Sequence, residues 1–386
     1  MRSRFLRVSL LLLAVVGTVF LSVPRIVSER MNRVVKKSPY VASERARILH
    51  RQLIIADLHA DSLLWGRDLL ERRSYGHVDI PRLVEGNVAL QVFALPTKTP
   101  RGLNIDRNDD KTDDITLLAV IQGWPLATWN SLTQRALYQS RRLHRMAASS
   151  VGQFIVIESA ADLKRYLELR DQHRNMTAGL LALEGAHALD GKLENLDVLY
   201  GAGYRMMAPS HFFDNDIGGS AAGVHKTGLT EKGREWVRRM EARHMIVDLA
   251  HASPKTIDEV LAVATRPVVV SHTGVKGTCN NNRNLSDQQI RAIAKNGGLI
   301  GIGFWDTATC GRDAHAIVDA MRYVSERVGV EHVALGSDFD GAVKEPFDTT
   351  GLVEITEAML ASGYSEEEIR MIMGGNAVRF LEANLP

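Results

Sequence analysis

"IIADLHADS", residues 54–62, starts as a buried strand and then departs from one. Ile54, Ile55 and Leu58 are core residues, but Asp57, His59 and Asp61 occupy alternate positions. Alternate side chains of a strand share a face, so two carboxylates and an imidazole would crowd together on one side. Burying them without compensation would raise a pKa or cost several kcal/mol. Bound cations would remove that cost.

Seven further apolar runs follow: 87–95, 178–185, 204–211, 245–251, 267–272, 298–304 and 332–338, with 53–59 as the first. Their near-continuous apolarity suits strands covered on both faces, as in parallel sheets. Between them lie amphipathic stretches such as "TEKGREWVRRMEARH" (230–244) and "SPKTIDEVLAVAT" (253–265), with apolar residues three and four apart. Ser253 before Pro254, and Ser286, are expected helix N-caps, and Gly297 a C-cap. Eight strands, each followed by helical sequence, predict an α/β fold of (β/α)8 TIM type, with a doubly wound open sheet as the alternative. Residues 96–177 exceed a simple crossover. The polar stretch "NIDRNDDKTDD" (104–114) is expected to be a solvated connection and "LTQRALYQSRRLHRMAASS" (132–150) a long helix.

Ligand-type residues gather at the strand ends. His59 and Asp61 end the first run, Glu184 the third, His211 the fourth, His251 the fifth, His272 the sixth and Asp338 the eighth. In a closed barrel these ends share one face, where active sites of this architecture are built. Histidine nitrogen with carboxylate oxygen suits zinc. The set is too large for one catalytic ion and suits two ions sharing a carboxylate. Asp57 sits earlier in its strand and is expected to support the site; Asp340 reads as a turn residue before Gly341 and His187 as structural.

The bulk composition, 45% hydrophobic, 24% charged and a formal charge of +2 over 386 residues, is that of a globular protein and offers no reason for a nucleic-acid partner. Arg2, Arg4 and Arg7 precede the uncharged stretch Val8 to Pro24. That stretch is expected to be a hydrophobic helix serving as a signal anchor, or a signal peptide if cleaved. Residues 25–50 then form a juxtamembrane linker or helix and 51–386 the catalytic domain. Arg25, Arg30, Arg33, Lys36 and Lys37 dilute the positive-inside signal.

From about residue 50 onward the chain resembles the membrane dipeptidase (renal dipeptidase) family of zinc metallopeptidases, including its bacterial members. The resemblance rests on "DLHADSLLW", "HVDIPRLVEGNVALQVFAL", "LALEGAHAL", "DLAHAS", "SHTGVKGTCNNNRN", "GSDFDG" and "GGNAVRFL", in that order. It implies that His59 and Asp61 bind one zinc, that His251 and His272 bind a second, and that Glu184 bridges them. His211 would contact substrate and steady the tetrahedral intermediate, Arg283 would hold the substrate's terminal carboxylate, and Asp338 would handle the proton and the free amino group. The implied activity is hydrolysis of dipeptides by a metal-bridging hydroxide. Other readings are a binuclear amidohydrolase acting on an N-acyl amino acid, lactone or phosphoester, and a catalytically idle peptide-binding barrel.

Cys279 and Cys310 fall after the sixth and seventh runs, both on the expected active-site face. Vertebrate family members carry a disulfide at matching positions, which implies one here; two free thiols are the alternative. A disulfide belongs in an oxidising compartment and so favours a catalytic domain on the periplasmic or extracytoplasmic side, held by the N-terminus or secreted after cleavage. A homodimer is in keeping with the resemblance, although no interface signature is legible.

Overall fold

The computed structural model describes residues 22–386. The expected hydrophobic helix over 8–24 lies almost entirely outside them. Among the described residues no helix is long and apolar enough to cross a membrane.

The expected eight strands form: β1 Ile55–Ala60, β2 Val88–Phe93, β3 Thr177–Leu183, β4 Tyr204–Met207, β5 Ile246–Val247, β6 Val269–Thr273, β7 Leu299–Ile302 and β8 Val333–Leu335. Every pairing between them is parallel, in the order β5-β4-β3-β2-β1-β8-β7-β6. A parallel bridge between Asp248 and Val269 joins the two ends of that order. The sheet is therefore the closed arrangement of a TIM-type barrel, and the open doubly wound alternative falls. A short strand, Phe154–Val156, adds to the outside of β3.

Alternation on the strands separates two packing faces. In β3, Ala178, Leu180 and Ala182 pack with Leu163 and Tyr166 of helix Ala160–Gln172 and with Phe380 and Leu381 of helix Asn376–Asn384. Leu181 and Leu183 belong to the other buried cluster. Helix starts follow their caps. Ser253 accepts from the Thr256 amide, with Pro254 in the first turn, and Ser286 and Gln289 form a reciprocal capping box. The C-cap of that helix is Asn296; Gly297 comes one residue later with φ 81°, the left-handed conformation glycine adopts most readily.

Several strands end earlier than their apolar runs. β4 stops at Met207 rather than His211, β5 at Val247 rather than His251, and β8 at Leu335 rather than Asp338. Beyond those points the backbone turns to present side chains. His251 and Asp338 have φ of 62° and 65°, which no strand accommodates. Within 104–114, Asp113 is not simply solvated: it caps helix Asp114–Ile121 and pairs with the buried Arg135 at 2.6 Å.

Much of the stretch 25–50 packs against the barrel. Residues 22–31 are helical, Arg33–Val34 pairs in parallel with Lys344–Glu345, and the Ala342 amide donates to Asn32 Oδ1 at 2.9 Å. Helix Glu44–Gln52 straddles the expected boundary at 51. It buries Ala46, Leu49 and His50, and His50 Nδ1 meets Thr356 Oγ1 at 2.8 Å.

Candidate metal centre

The barrel's β1 carries Asp57 and His59 toward the same side, and the chain leaves the strand at Asp61, whose amide donates to the Phe339 carbonyl at 2.8 Å. Asp57 accepts from the Ser337 amide at 2.8 Å, the Ser337 hydroxyl at 2.6 Å and Gln91 Nε2 at 2.8 Å. It ties β1 to its two neighbours below the site, the supporting position expected for it.

Above it stands Glu184, buried at the end of β3. Its Oε1 lies 2.8 Å from His251 Nε2, 3.2 Å from His272 Nε2 and 3.5 Å from His59 Nε2, and its Oε2 lies 3.2 Å from His211 Nε2. His251 Nε2 and His272 Nε2 are 2.8 Å apart. His59 Nε2 is 3.8 Å from Asp61 Oδ2 and 3.9 Å from Asp338 Oδ1. Three sets of side chains stand close enough to share an ion: His59, Glu184 and His272; Glu184, His211 and His251; and His59, Asp61 and Asp338. The seven strand-end residues thus meet in one place. The sets overlap differently from the expected division, because His272 stacks on His59 with ring centroids 3.6 Å apart and His211 stands as close to Glu184 as His272 does.

The electrostatics explain why such a cluster calls for cations. Burial pushes the Glu184 carboxyl well above its usual range, and the neighbouring Asp61 carboxylate adds to this. Burial likewise raises Asp338 to about 8. Burial works against a charged His59, yet Glu184, Asp61 and Asp338 together carry it up to about 10. His211, His251 and His272 are held well below their ordinary value by burial, hence neutral and able to offer lone pairs. His59 Nε2 and Asp61 Oδ1 are buried with no hydrogen-bond partner among the described residues. Orphaned nitrogen and oxygen atoms of this kind, beside neutral imidazoles and a desolvated carboxylate, fit divalent cations of the zinc type.

Arg283 donates to the His272 carbonyl at 2.7 Å and lies over the Trp305 ring at 5.7 Å. Cys279 and Cys310 form a disulfide, with Cα atoms 5.2 Å apart, joining the segments after β6 and β7. Left-handed φ values gather at this mouth, at His251, Asp338, Asp340 and Ala342; each costs of order 1 kcal/mol and persists because the surrounding packing holds it. Asp340 is a turn residue as expected, but it is also a buried hub. It pairs with Arg67 and accepts from Ser62 at 2.6 Å and from the His77 amide at 2.8 Å. His187 packs on Phe213 and burial lowers its pKa to about 3, in keeping with a structural role.

Two contributors were not singled out from the sequence. Ser271 Oγ stands 3.2 Å from His59 Nδ1 and 2.9 Å from His272 Nδ1, orienting both rings. Asp248 Oδ1 accepts from the Ser271 amide at 2.9 Å. A serine inside "PVVVSH" and an acid inside "MIVDLAH", each polar in an apolar run, were the available signals.

Buried imidazoles and carboxylates at the mouth of a parallel α/β barrel define a metal-dependent hydrolase. The chain belongs to the membrane dipeptidase family, peptidase family M19, whose model matches residues 43–384, and it is a metallo-dipeptidase. Among relatives, the dipeptidase tcpJ of Claviceps purpurea is 30% identical over 319 residues, covering 79% of this chain and 69% of its own. The dipeptidase aclJ of Aspergillus oryzae is 26% identical over 354 residues, covering 85% and 77%. A metallo peptidase from Rhodobacter sphaeroides, solved with a phosphinate mimic of the dipeptide L-Ala-D-Ala, shares the fold with TM-score 0.67 and 24% identity over 86% of this chain and 99% of that one.

Proposed function

We propose that the protein hydrolyses the peptide bond of dipeptides with two zinc ions. His59 and Asp61 would hold one, His251 and His272 the other, and Glu184 both. The observation that supports this most is the Glu184 carboxylate within 3.5 Å of four imidazole Nε2 atoms, more nitrogen than one catalytic ion with an open position takes. The dipeptide mimic in the Rhodobacter sphaeroides relative supports the substrate class.

A pair of divalent cations at such a site supplies Lewis acidity to the scissile carbonyl and a water deprotonated near neutral pH. The protein supplies the rest. Arg283 offers its guanidinium to the substrate's carboxylate, which limits the site to very short peptides. Asp338 receives the free amino group and passes a proton to the departing nitrogen. His211, neutral by burial, donates to the developing oxyanion. The Cys279–Cys310 disulfide suits an oxidising compartment, which supports a catalytic domain exported and held by the N-terminal segment.

Metal analysis of the purified chain, together with a panel of L-X and D-X dipeptides, tests the reading. About two zinc ions per chain and dipeptide turnover are expected. Glu184→Gln should cut turnover about a hundredfold or more, with the circular dichroism of the folded domain retained. Metal without dipeptide turnover, or near-normal turnover in that variant, would refute it.

A further inference from the structure

A cavity of about 570 Å³ opens from the metal centre, and it is lined by Asp61, Glu184, His211, His251 and Asp338 at its floor. Its walls are mostly apolar, with Val27, Met31, Trp65, Leu103, Ile115 and Leu118, and they also carry Arg101 and Asp114, paired with each other at 3.1 Å. Two of these, Val27 and Met31, come from the helix at 22–31, which lies before the family-matched part of the chain. Val27 packs with the cluster of Leu64, Trp65, Ile115, Ala119 and Trp124. That N-terminal segment is fastened to the loop bearing Asp338, since Asn32 accepts from Ala342 and the Val35 amide donates to the Glu345 carbonyl at 2.8 Å. Gly341 and Ala342 of the same loop line the cavity too.

The roles proposed for Arg283 and Asp338 indicate which substrate residue the chamber would hold. Arg283, assigned to the carboxylate, is not among its lining residues, whereas Asp338, assigned to the amino group, is. The apolar walls therefore extend from the amino side of the scissile bond. The volume is well beyond what a glycyl or alanyl residue fills.

Resting on the dipeptidase reading, the geometry points to a specificity pocket for a large apolar side chain on the N-terminal residue of the dipeptide, with Val27 and Met31 as chain-specific walls. Burying a leucyl or phenylalanyl side chain there favours such substrates over glycyl ones by about tenfold or more.

The test compares kcat/KM for Phe-X and Gly-X dipeptides in the full-length chain, alongside N-acyl-X compounds with a long acyl group. The unmodified chain should prefer Phe-X at least about tenfold. Val27→Trp, which intrudes on the chamber, should reduce the Phe-X to Gly-X ratio about tenfold through KM rather than kcat. Val27→Ser, a milder change at a half-buried helix position, should reduce it about fourfold, the worth of one buried methylene. A ratio unmoved in both variants, or Phe-X and Gly-X falling together, overturns the pocket while leaving dipeptide hydrolysis standing. Preference for the N-acyl compounds also overturns it. Cleavage of neither dipeptide by the unmodified chain refutes the dipeptidase reading and the pocket with it.

Discussion

Ser271→Ala tests the metal centre without touching a ligand. One hydroxyl oxygen stands 3.2 Å from His59 Nδ1 and 2.9 Å from His272 Nδ1. When both rings give their Nε2 lone pairs to cations, both Nδ1 atoms carry protons, and a hydroxyl oxygen has the two lone pairs needed to accept both. Alanine leaves two buried N–H groups unpaired at the moment of metal binding. At about 1 kcal/mol for each bond the loss is about 2 kcal/mol, or about 30-fold in the metal dissociation constant. That falls within the roughly 10- to 100-fold expected when partners of metal-bound histidines are removed. Competition against a zinc chelator of known affinity measures it, with loss of activity on titrating chelator as a second readout. A dissociation constant within about twofold of the unmodified protein would refute the reasoning, because it would mean that Ser271 does not orient the ligating rings.

The remaining predictions concern stability. Burial lowers His50 and His77 each to about 4 from 6.5, so between pH 6.5 and 4 the unfolded chain binds protons that the folded chain does not, and stability falls with pH at about 1.4 kcal/mol per unit for each group. Compared with the unmodified protein, His50→Gln should lose urea stability less steeply from pH 7 to 5, by up to about 1.4 kcal/mol per unit, and an equal slope would contradict this. Opening the Cys279–Cys310 bridge, whose cysteines are 31 residues apart, with Cys279→Ala/Cys310→Ala should cost about 3.5 kcal/mol by loop entropy, read from denaturant unfolding; an unchanged midpoint would rule out a stabilising bridge.

Much of the fold was legible locally. Apolar runs covered on both faces, with capped amphipathic stretches between them, are short-range patterns, and they named all eight strands and the serines that start the helices. The parity of Asp57, His59 and Asp61 placed them on one face, and the earlier position of Asp57 in the strand marked it as a supporting residue, since neither depends on distant chain. Strand ends were overread at His211, His251 and Asp338 because apolarity continues where the backbone has already turned, and a left-handed φ leaves no mark in composition.

By itself the sequence determined the parallel α/β class, the inventory of imidazoles and carboxylates, and the strand ends at which they gather, because each follows from patterns within a few residues. Tertiary structure alone decided how they meet. Closure through Asp248 and Val269, the sharing of Ser271 by the His272 ring next to it and the His59 ring 212 residues away, and the roofing of the cavity by Val27 and Met31 join segments that no local pattern relates. Those contacts depend on the stagger of parallel strands around a closed barrel and on what packs over its mouth, and both are properties of the whole assembled core.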